Sequence, residues 1–347
     1  MKRLTVTFNC LIMLLTALTL RGQSTKSEYN IIDKIHLPGD GGWDYLTVDE
    51  AGARLFVSHG TMVQVVDLKT GQLAGTVNET PGVHGIAIAQ DLNKAFISEG
   101  RAGAVKIINL QTLELIAEVK VTGQNPDAIM YDQFSKKVFT FNGGSSNATV
   151  LDAKTNEVTN TIVLEGKPEF PVSDGNGRIY VNIEDKSLIS VIDVKSMKIE
   201  KSWPIAPGEE ASGLALDNET HRLFTVCSNK LMVVVDALDG HVVTSLPIGN
   251  GCDGVKFDPA LKRAYSSNGE GTMTVVQELN KDSFKVLENV TTLPGARTLA
   301  VDTKTHHIYL PTAEFGPAPA ATAENPRPRR TIKPGTFIVM DIALLKK

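Results

Sequence analysis

Cysteine is scarce in this chain: three in 347 residues, and one of them, Cys10, lies inside an N-terminal apolar run. The remaining two, Cys227 and Cys252, are too few to frame a disulfide-built fold. Aromatic residues make up only 6%, which argues against a base-stacking platform for single-stranded nucleic acid. Neither sign of charge dominates. Thirty-five Lys and Arg face 39 Asp and Glu, for a formal net charge of −4, which gives no electrostatic reason for tight binding to phosphate backbones. Helical periodicity is missing beyond the N-terminal run. Also missing are G-x-S-x-G, H-E-x-x-H, a phosphate-cradling glycine loop and C-x-x-C-H, so the common esterase, zinc-protease, nucleotide and haem signatures are excluded. What is present is ordinary for a globular protein with a real core: 42% hydrophobic and 21% charged residues.

The N-terminus reads as a targeting segment. Lys2 and Arg3 precede an apolar run from Leu4 to Leu20, and polar residues begin at Arg21. This pattern predicts a signal peptide over residues 1–22, with an uncleaved anchor as the alternative. Either reading puts the domain outside the cytoplasm, periplasmic or secreted. Once cleaved, the chain is not expected to be embedded in a membrane. Residues 23–347 are expected to form one domain.

That domain is an array. Phe56, Phe96, Phe139, Tyr180, Phe224, Tyr265 and Tyr309 align at intervals of roughly 40 to 44 residues. Asp67, Asn109, Asp152, Asp193, Asp236, Gln277 and Asp341 form a second, independent set of anchors. Each unit holds four short apolar or alternating runs, as in HGIAIA (84–89), KAFIS (94–98), AVKIINL (104–110) and LIAEVKV (115–121). We label such runs strands A to D. Four antiparallel strands repeated seven times predict an all-β, seven-bladed β-propeller. The last unit stops after strand C, while YNIIDKIHL (29–37) precedes the first strand A as an orphan strand D. The N-terminal strand is therefore expected to complete the last blade and close the ring.

Segments such as RLFVSHGTMVQVVDLKTGQLAGTV (54–77) and GQNPDAIMYD (123–132) resemble the YVTN repeat of YncE-like propellers over roughly residues 29 to 347. GGWDYLTVD, TPGVHGIAI, NPDAI, FTFNG, YVNIEDKS and YLPTAEFGPAPA resemble one exported bacterial subgroup without a settled activity. The resemblance implies the propeller fold. It also brings in single-stranded DNA as a partner class, since some YncE-like proteins bind it.

The repeat separates fold from function. Aspartates at strand C ends (Asp67, Asp152, Asp193, Asp236) and strand A ends (Asp49, Asp132, Asp174, Asp217, Asp258, Asp302) recur in most units and read as turn formers. Five residues before the second set, the series is Asp44, His84, Asp127, Glu169, Ser212, Asp253 and Arg297. Strand A is innermost, so this reactive and variable set is expected to ring one mouth of the central channel. A solvated polar channel is the competing reading. The ends of strand B return to the same face, which adds His59, Glu99, Asn142, Glu184, Cys227, Asn268 and Glu314. A Pro-rich insertion in the last unit (311–335), with Arg327, Arg329, Arg330 and Lys333, is expected beside them as a lid, a strap or a mobile loop.

Oxygen-rich ligands with a histidine suit Ca²⁺, Mg²⁺ or Mn²⁺, with Asp44, Asp127, Glu169 and Asp253 as candidate metal ligands. His84, Asp127 and Glu169 are the candidate catalytic groups. The leading expectation is an exported binding protein that captures a small ligand, a divalent metal or a protein partner at an acidic mouth. A metal-assisted ester or lactone hydrolase or lyase is the alternative, with Arg297 holding an anionic group; single-stranded DNA binding is a third reading. Trp43 reads as a rim or packing residue and Trp203 as blade core. His221, His306 and His307 are expected in solvated turns of the opposite face. Cys227 and Cys252 are expected near one another, where a disulfide between blades is feasible.

Overall fold

Seven four-stranded antiparallel sheets are arranged in a ring. The computed structural model describes residues 27–320, 322 and 330–345. The expected signal peptide, Arg327 and Arg329 lie outside the described residues. No helix among the described residues is long and apolar enough to cross a membrane, and the helical elements there are single 3₁₀ turns at Gln90–Leu92 and Glu184–Lys186.

The burial of each strand follows from its place in the blade. In blade 2, strands B (Lys94–Glu99) and C (Ala104–Asn109) are buried almost throughout, whereas strand D (Leu115–Lys120) is largely exposed. Strands B and C are covered on both faces by neighbouring blades, so their sequences run nearly continuously apolar; the outermost strand meets most of the water. The repeating aromatic sits at these seams. Phe56 packs with Ile86, Ala95 and Ile97 of the next blade, and Phe96 packs with Ile129 and Val138 of the blade after that. Truncating such a fully buried ring costs about 3–5 kcal/mol, which explains why the position recurs as Phe or Tyr.

The ring closes as the sequence predicts. The N-terminal strand, Tyr29–His36, pairs with Ile338–Leu344 as the outer strand of blade 7. It also locks onto blade 6, where Arg263 Nη1 donates to Tyr29 Oη at 2.6 Å and the Tyr29 and Tyr265 hydroxyls lie 2.9 Å apart. On the inner side, Thr298 Oγ1 of blade 7 donates to the Asp44 carbonyl of blade 1 at 2.7 Å.

The recurrent aspartates do what turn formers do. Asp67 Oδ1 accepts from the backbone N–H groups of Lys69 and Thr70, and Asp152 Oδ1 from those of Lys154 and Thr155. Buried Asp132 accepts from Ser135 N, Ser135 Oγ and Ser173 Oγ. Two expectations change here. His306 and His307 are half-buried and paired: His306 reaches Asp258 of the preceding blade at 2.6 Å, and His307 pairs with Asp341 of its own blade at 2.8 Å. Cys227 and Cys252 both carry free thiols. Cys252 Sγ donates to the Cys227 carbonyl at 3.1 Å, while Cys227 is buried in the core between blades 4 and 5.

Candidate functional site: the channel mouth

Strand A enters six of the seven blades through a bulge; in blade 7, Arg297 precedes the short strand Ala300–Asp302 instead. In blade 1 the register slips between Trp43 and Leu46, in blade 2 between Val83 and Ile86, and in blade 4 between Pro168 and Pro171. A bulge leaves residues outside the ladder and turns them away from it. Small polar side chains of strand B pin this bend. Asp44 N donates to Ser58 Oγ at 2.9 Å, Ser98 Oγ donates to the Asp127 carbonyl at 2.5 Å, and Ser267 Oγ to the Arg297 carbonyl at 2.5 Å. The residue set so presented is the series Asp44 to Arg297.

These side chains meet. His84 Nδ1 lies 2.6 Å from Asp44 Oδ2 and 3.5 Å from Asp127 Oδ1. Arg297 contacts Asp44 at 3.3 Å and Asp253 at 2.9 Å. Lys167, which the sequence did not single out, holds Glu169 at 2.7 Å and also pairs with Glu184. Ser212 turns instead to the Cys252 carbonyl, 3.4 Å away. Tyr45 is the common neighbour of the carboxylates. Burial first, and then the charges of Asp127, Asp253, Asp44 and Glu169, hold its phenol well above the usual range.

The electrostatics record a shortage of positive charge. Burial raises the proton affinity of Asp127; His84 opposes that rise, while Asp44 and Asp253 add to it. Burial, then Asp127, raises Glu169 despite Lys167. Burial also raises Asp253, although Arg297 counters it. His84 shows the complementary effect. Burial alone would lower its pKa, but the Asp44 hydrogen bond and the Asp127 and Asp44 charges outweigh burial and lift it to about 9. A protonated imidazole is thus the favoured neighbour of this acid cluster. Ligand atoms of Asp44, His84 and Asp127 all lie within 4.8 Å of one another, a spacing that suits one metal ion. Glu169 and Asp253 belong to the same mouth but face Lys167 and Arg297.

Below the ring the channel is filled. The residues one place further along strand A are Tyr45, Gly85, Ala128, Phe170, Gly213, Gly254 and Thr298. Five are small because adjacent blades nearly touch there: a Cβ on Gly85 would sit 2.9 Å from Ile129 Cγ2, and one on Gly213 would sit 2.8 Å from Val255 N. The two exceptions meet across the axis, with the Tyr45 and Phe170 rings 5.1 Å apart. Lys256 Nζ caps Phe170 at 4.1 Å from the ring centroid, and burial lowers its pKa to about 8. Blades 1, 4 and 6 therefore join hands at this level, and the acidic mouth is a cup rather than the entrance to an open pore.

The strand B set does not form a second open ring. His59, Glu99, Asn142, Cys227 and Asn268 are wholly buried. Asn142 Nδ2 donates to Asn147 Oδ1 and Thr149 Oγ1, and Asn268 Nδ2 to Thr272 and Thr274. His59 stacks on Phe337 at 3.9 Å and bonds Gln64 through Nδ1; burial lowers its pKa. Ile183, not Glu184, holds the strand B end of blade 4. Glu184 starts the following 3₁₀ turn, which frees it to reach Lys167. Glu314 lies past the end of its strand, exposed and paired with Lys333 at 2.9 Å.

The base of the blade 7 insertion is a short hairpin. Phe315 and Ile332 form a β-bridge, Gly316 N donates to the Thr331 carbonyl at 2.8 Å, and Lys333 N to the Glu314 carbonyl at 2.8 Å. Phe315 folds onto Trp43, with ring centroids 6.0 Å apart. Trp43 is 8% exposed and also packs on Phe337. Trp203 belongs to the core of blades 4 and 5.

Comparison with known proteins agrees with this architecture. No family model matches the chain. YncE of Escherichia coli (strain K12), described as uncharacterized, is 22% identical over 220 residues, which is 56% of this chain and 61% of that protein. YncE of Salmonella typhi is 22% identical over 269 residues, covering 65% of this chain and 75% of that one. The chain thus spans about three fifths of the length of the first of these relatives. Among solved structures, Kuenenia stuttgartiensis hydrazine synthase superposes with a TM-score of 0.67 at 18% identity, over 79% of this chain and 94% of that chain. U3-55K gives 0.74 at 9% identity, over 89% and 98%. Likenesses at such low identity speak to the fold alone. The seven-blade ring, the strand that closes it and the sequence match together make this chain a YncE-like β-propeller.

Proposed function

We propose that the chain is an exported binding propeller whose acidic cup captures a divalent cation, with Asp44, His84 and Asp127 as its first protein ligands. The observation that carries this reading is the convergence of Asp44, His84 and Asp127, whose ligand atoms all lie within 4.8 Å of one another; the raised proton affinity of Asp127, Glu169 and Asp253 agrees with it. Burial and like charge make the carboxylates of the cup bind protons more tightly than free carboxyls do. A cation relieves the same imbalance more fully, because it neutralises several carboxylates at once. Asp127 Oδ1 supports the reading, being buried without a hydrogen-bond partner. Two carboxylates and one imidazole favour Mn²⁺ over Ca²⁺ and Mg²⁺, which prefer all-oxygen shells.

Binding is favoured over turnover. In the metal-free site Asp44 and Asp127 keep the His84 imidazole protonated, which removes it as a general base there; a cation that displaces this proton then occupies the same lone pair. Thermal unfolding with Mn²⁺, Ca²⁺ and Mg²⁺ tests the proposal. Mn²⁺ at about a hundredfold excess over Kd adds about 2.7 kcal/mol to stability, and Asp127→Asn with His84→Gln removes the gain. An unchanged melting temperature with all three ions, at pH 7 and again at pH 8.5, overturns it.

A further inference from the structure

A second concavity adjoins the cup without belonging to it. It measures about 770 Å³ and lies between blades 6, 7 and 1, beneath the hairpin of the blade 7 insertion. Its apolar wall is Trp43, Phe315 and Ile332, and its polar groups are Arg297, Arg330 and Glu270. Gly295, in the left-handed region at φ +89°, lets Phe315 settle here; a Cβ at that position would lie 2.6 Å from the Phe315 ring.

The polar groups differ in how far they are already engaged. Arg297 is held by Asp44, Asp253 and the Trp43 carbonyl. Its guanidinium is thereby fixed in orientation, with 37% of the side chain still exposed. Arg330 is exposed and has no ion-pair partner among the described residues. Trp43 adds an indole Nε1 that is buried without a hydrogen-bond partner, an uncommon state for a buried donor. An unmatched guanidinium opposite a flat aromatic wall is the complement of an anionic head on a planar apolar body.

We propose that this concavity is a binding site for a small carboxylate bearing a planar apolar group. The carboxylate lies on Arg330, with the preset Arg297 edge as its second donor. The ring packs against the wall that Trp43 and Phe315, already in contact at 6.0 Å between centroids, form with Ile332. The site meets the cup at Arg297, which also pairs with Asp44; Arg330, Phe315 and Ile332 belong to this concavity and not to the cup, so variants there separate it from cation capture at Asp44, His84 and Asp127.

Trp43 is itself the reporter. The chain holds two tryptophans, so Trp203→Phe leaves fluorescence from Trp43 alone. In that full-length background, 3-phenylpropionate is titrated against 3-phenylpropionamide and propionate. The expected result is a saturable change with 3-phenylpropionate, with the amide and the ring-less acid each about tenfold weaker or more. Arg330→Gln is expected to weaken 3-phenylpropionate about tenfold and to leave the Mn²⁺ response intact; Asp127→Asn does the reverse. Equal binding of acid and amide, an unchanged affinity in Arg330→Gln, or no saturation below about 10 mM overturns the proposal.

Discussion

The chain uses aspartate in two geometrically distinct sets, and their proton affinities diverge. At the hairpin turns, Asp67, Asp152 and Asp193 lie below the usual carboxylate range, chiefly because backbone N–H groups point at them. At the channel mouth, Asp127 and Asp253 lie above it, chiefly because burial and neighbouring carboxylates oppose their charge. The side chain is the same. What differs is whether donors are supplied by the local backbone, as at Asp67, Asp152 and Asp193, or must come from elsewhere. The turn set is complete in itself. The mouth set is completed by whatever positive charge arrives, whether a proton, His84, Arg297 or a ligand.

This contrast can be broken from either side, and the effects rank by size. The largest belongs to a turn acid that is fully buried. Asp132→Ala removes three accepted hydrogen bonds and leaves their half-buried donors on Ser135 and Ser173 without this acceptor, so unfolding in urea is expected to show a loss of about 3 kcal/mol.

Next comes the pH dependence of the mouth. His84 is raised in the fold to about 9 from the ordinary imidazole value of 6.5. Its contribution is therefore fully present below pH 6.5 and fades as pH rises through 9, by about 2 kcal/mol after allowance for its partial exposure. The raised mouth carboxyls act in the same direction. The turn acids act in the opposite direction: their contribution is present above the usual carboxylate range and is lost on acidification. Urea titrations at pH 6.5 and 9 on the wild type and on His84→Gln measure the difference, and the variant is expected to show the flatter profile.

A third effect reverses the usual sign. Asp127→Asn removes a disfavoured charge, so the apo protein is expected to become about 1–2 kcal/mol more stable at pH 8 while losing its cation response. The smallest effect is Asp152→Ala, which gives up two turn hydrogen bonds and is expected to cost about 1 kcal/mol, with no influence on cation binding. If Asp127→Asn destabilised and Asp152→Ala stabilised, the distinction between the sets would fail.

The blades were legible because each signal repeats. Two anchor series set the period, and an orphan strand at one end matched a missing strand at the other. The mouth residues were legible for the opposite reason, as positions where the repeat carries reactive groups that change from blade to blade. Partner choice within the mouth was not legible. It depends on which rotamer reaches which neighbour, as when Lys167, two residues before Glu169, turns to hold it. Tyr45 and Phe170 left a readable trace, two large rings in a series of Gly, Ala and Thr, but a series so close to the polar one is easily passed over. The strand B ends misled because polarity alone does not tell an open rim from a buried network; Asn142 and Asn268 bond within their own blades. The carboxylate pocket was beyond reach, since it joins Trp43 to Phe315 and Arg330 across the seam where the ring closes.

The central claim is that the cup lacks positive charge and that a divalent cation supplies it by displacing the proton on His84. Isothermal titration of Mn²⁺ at pH 7.5, in two buffers of different ionisation enthalpy, tests this directly, because it counts protons together with ions. One ion bound, with about one proton released, and no binding in Asp127→Asn, is the expected result. Absence of binding, or binding without proton release that survives in Asp127→Asn, would contradict the account.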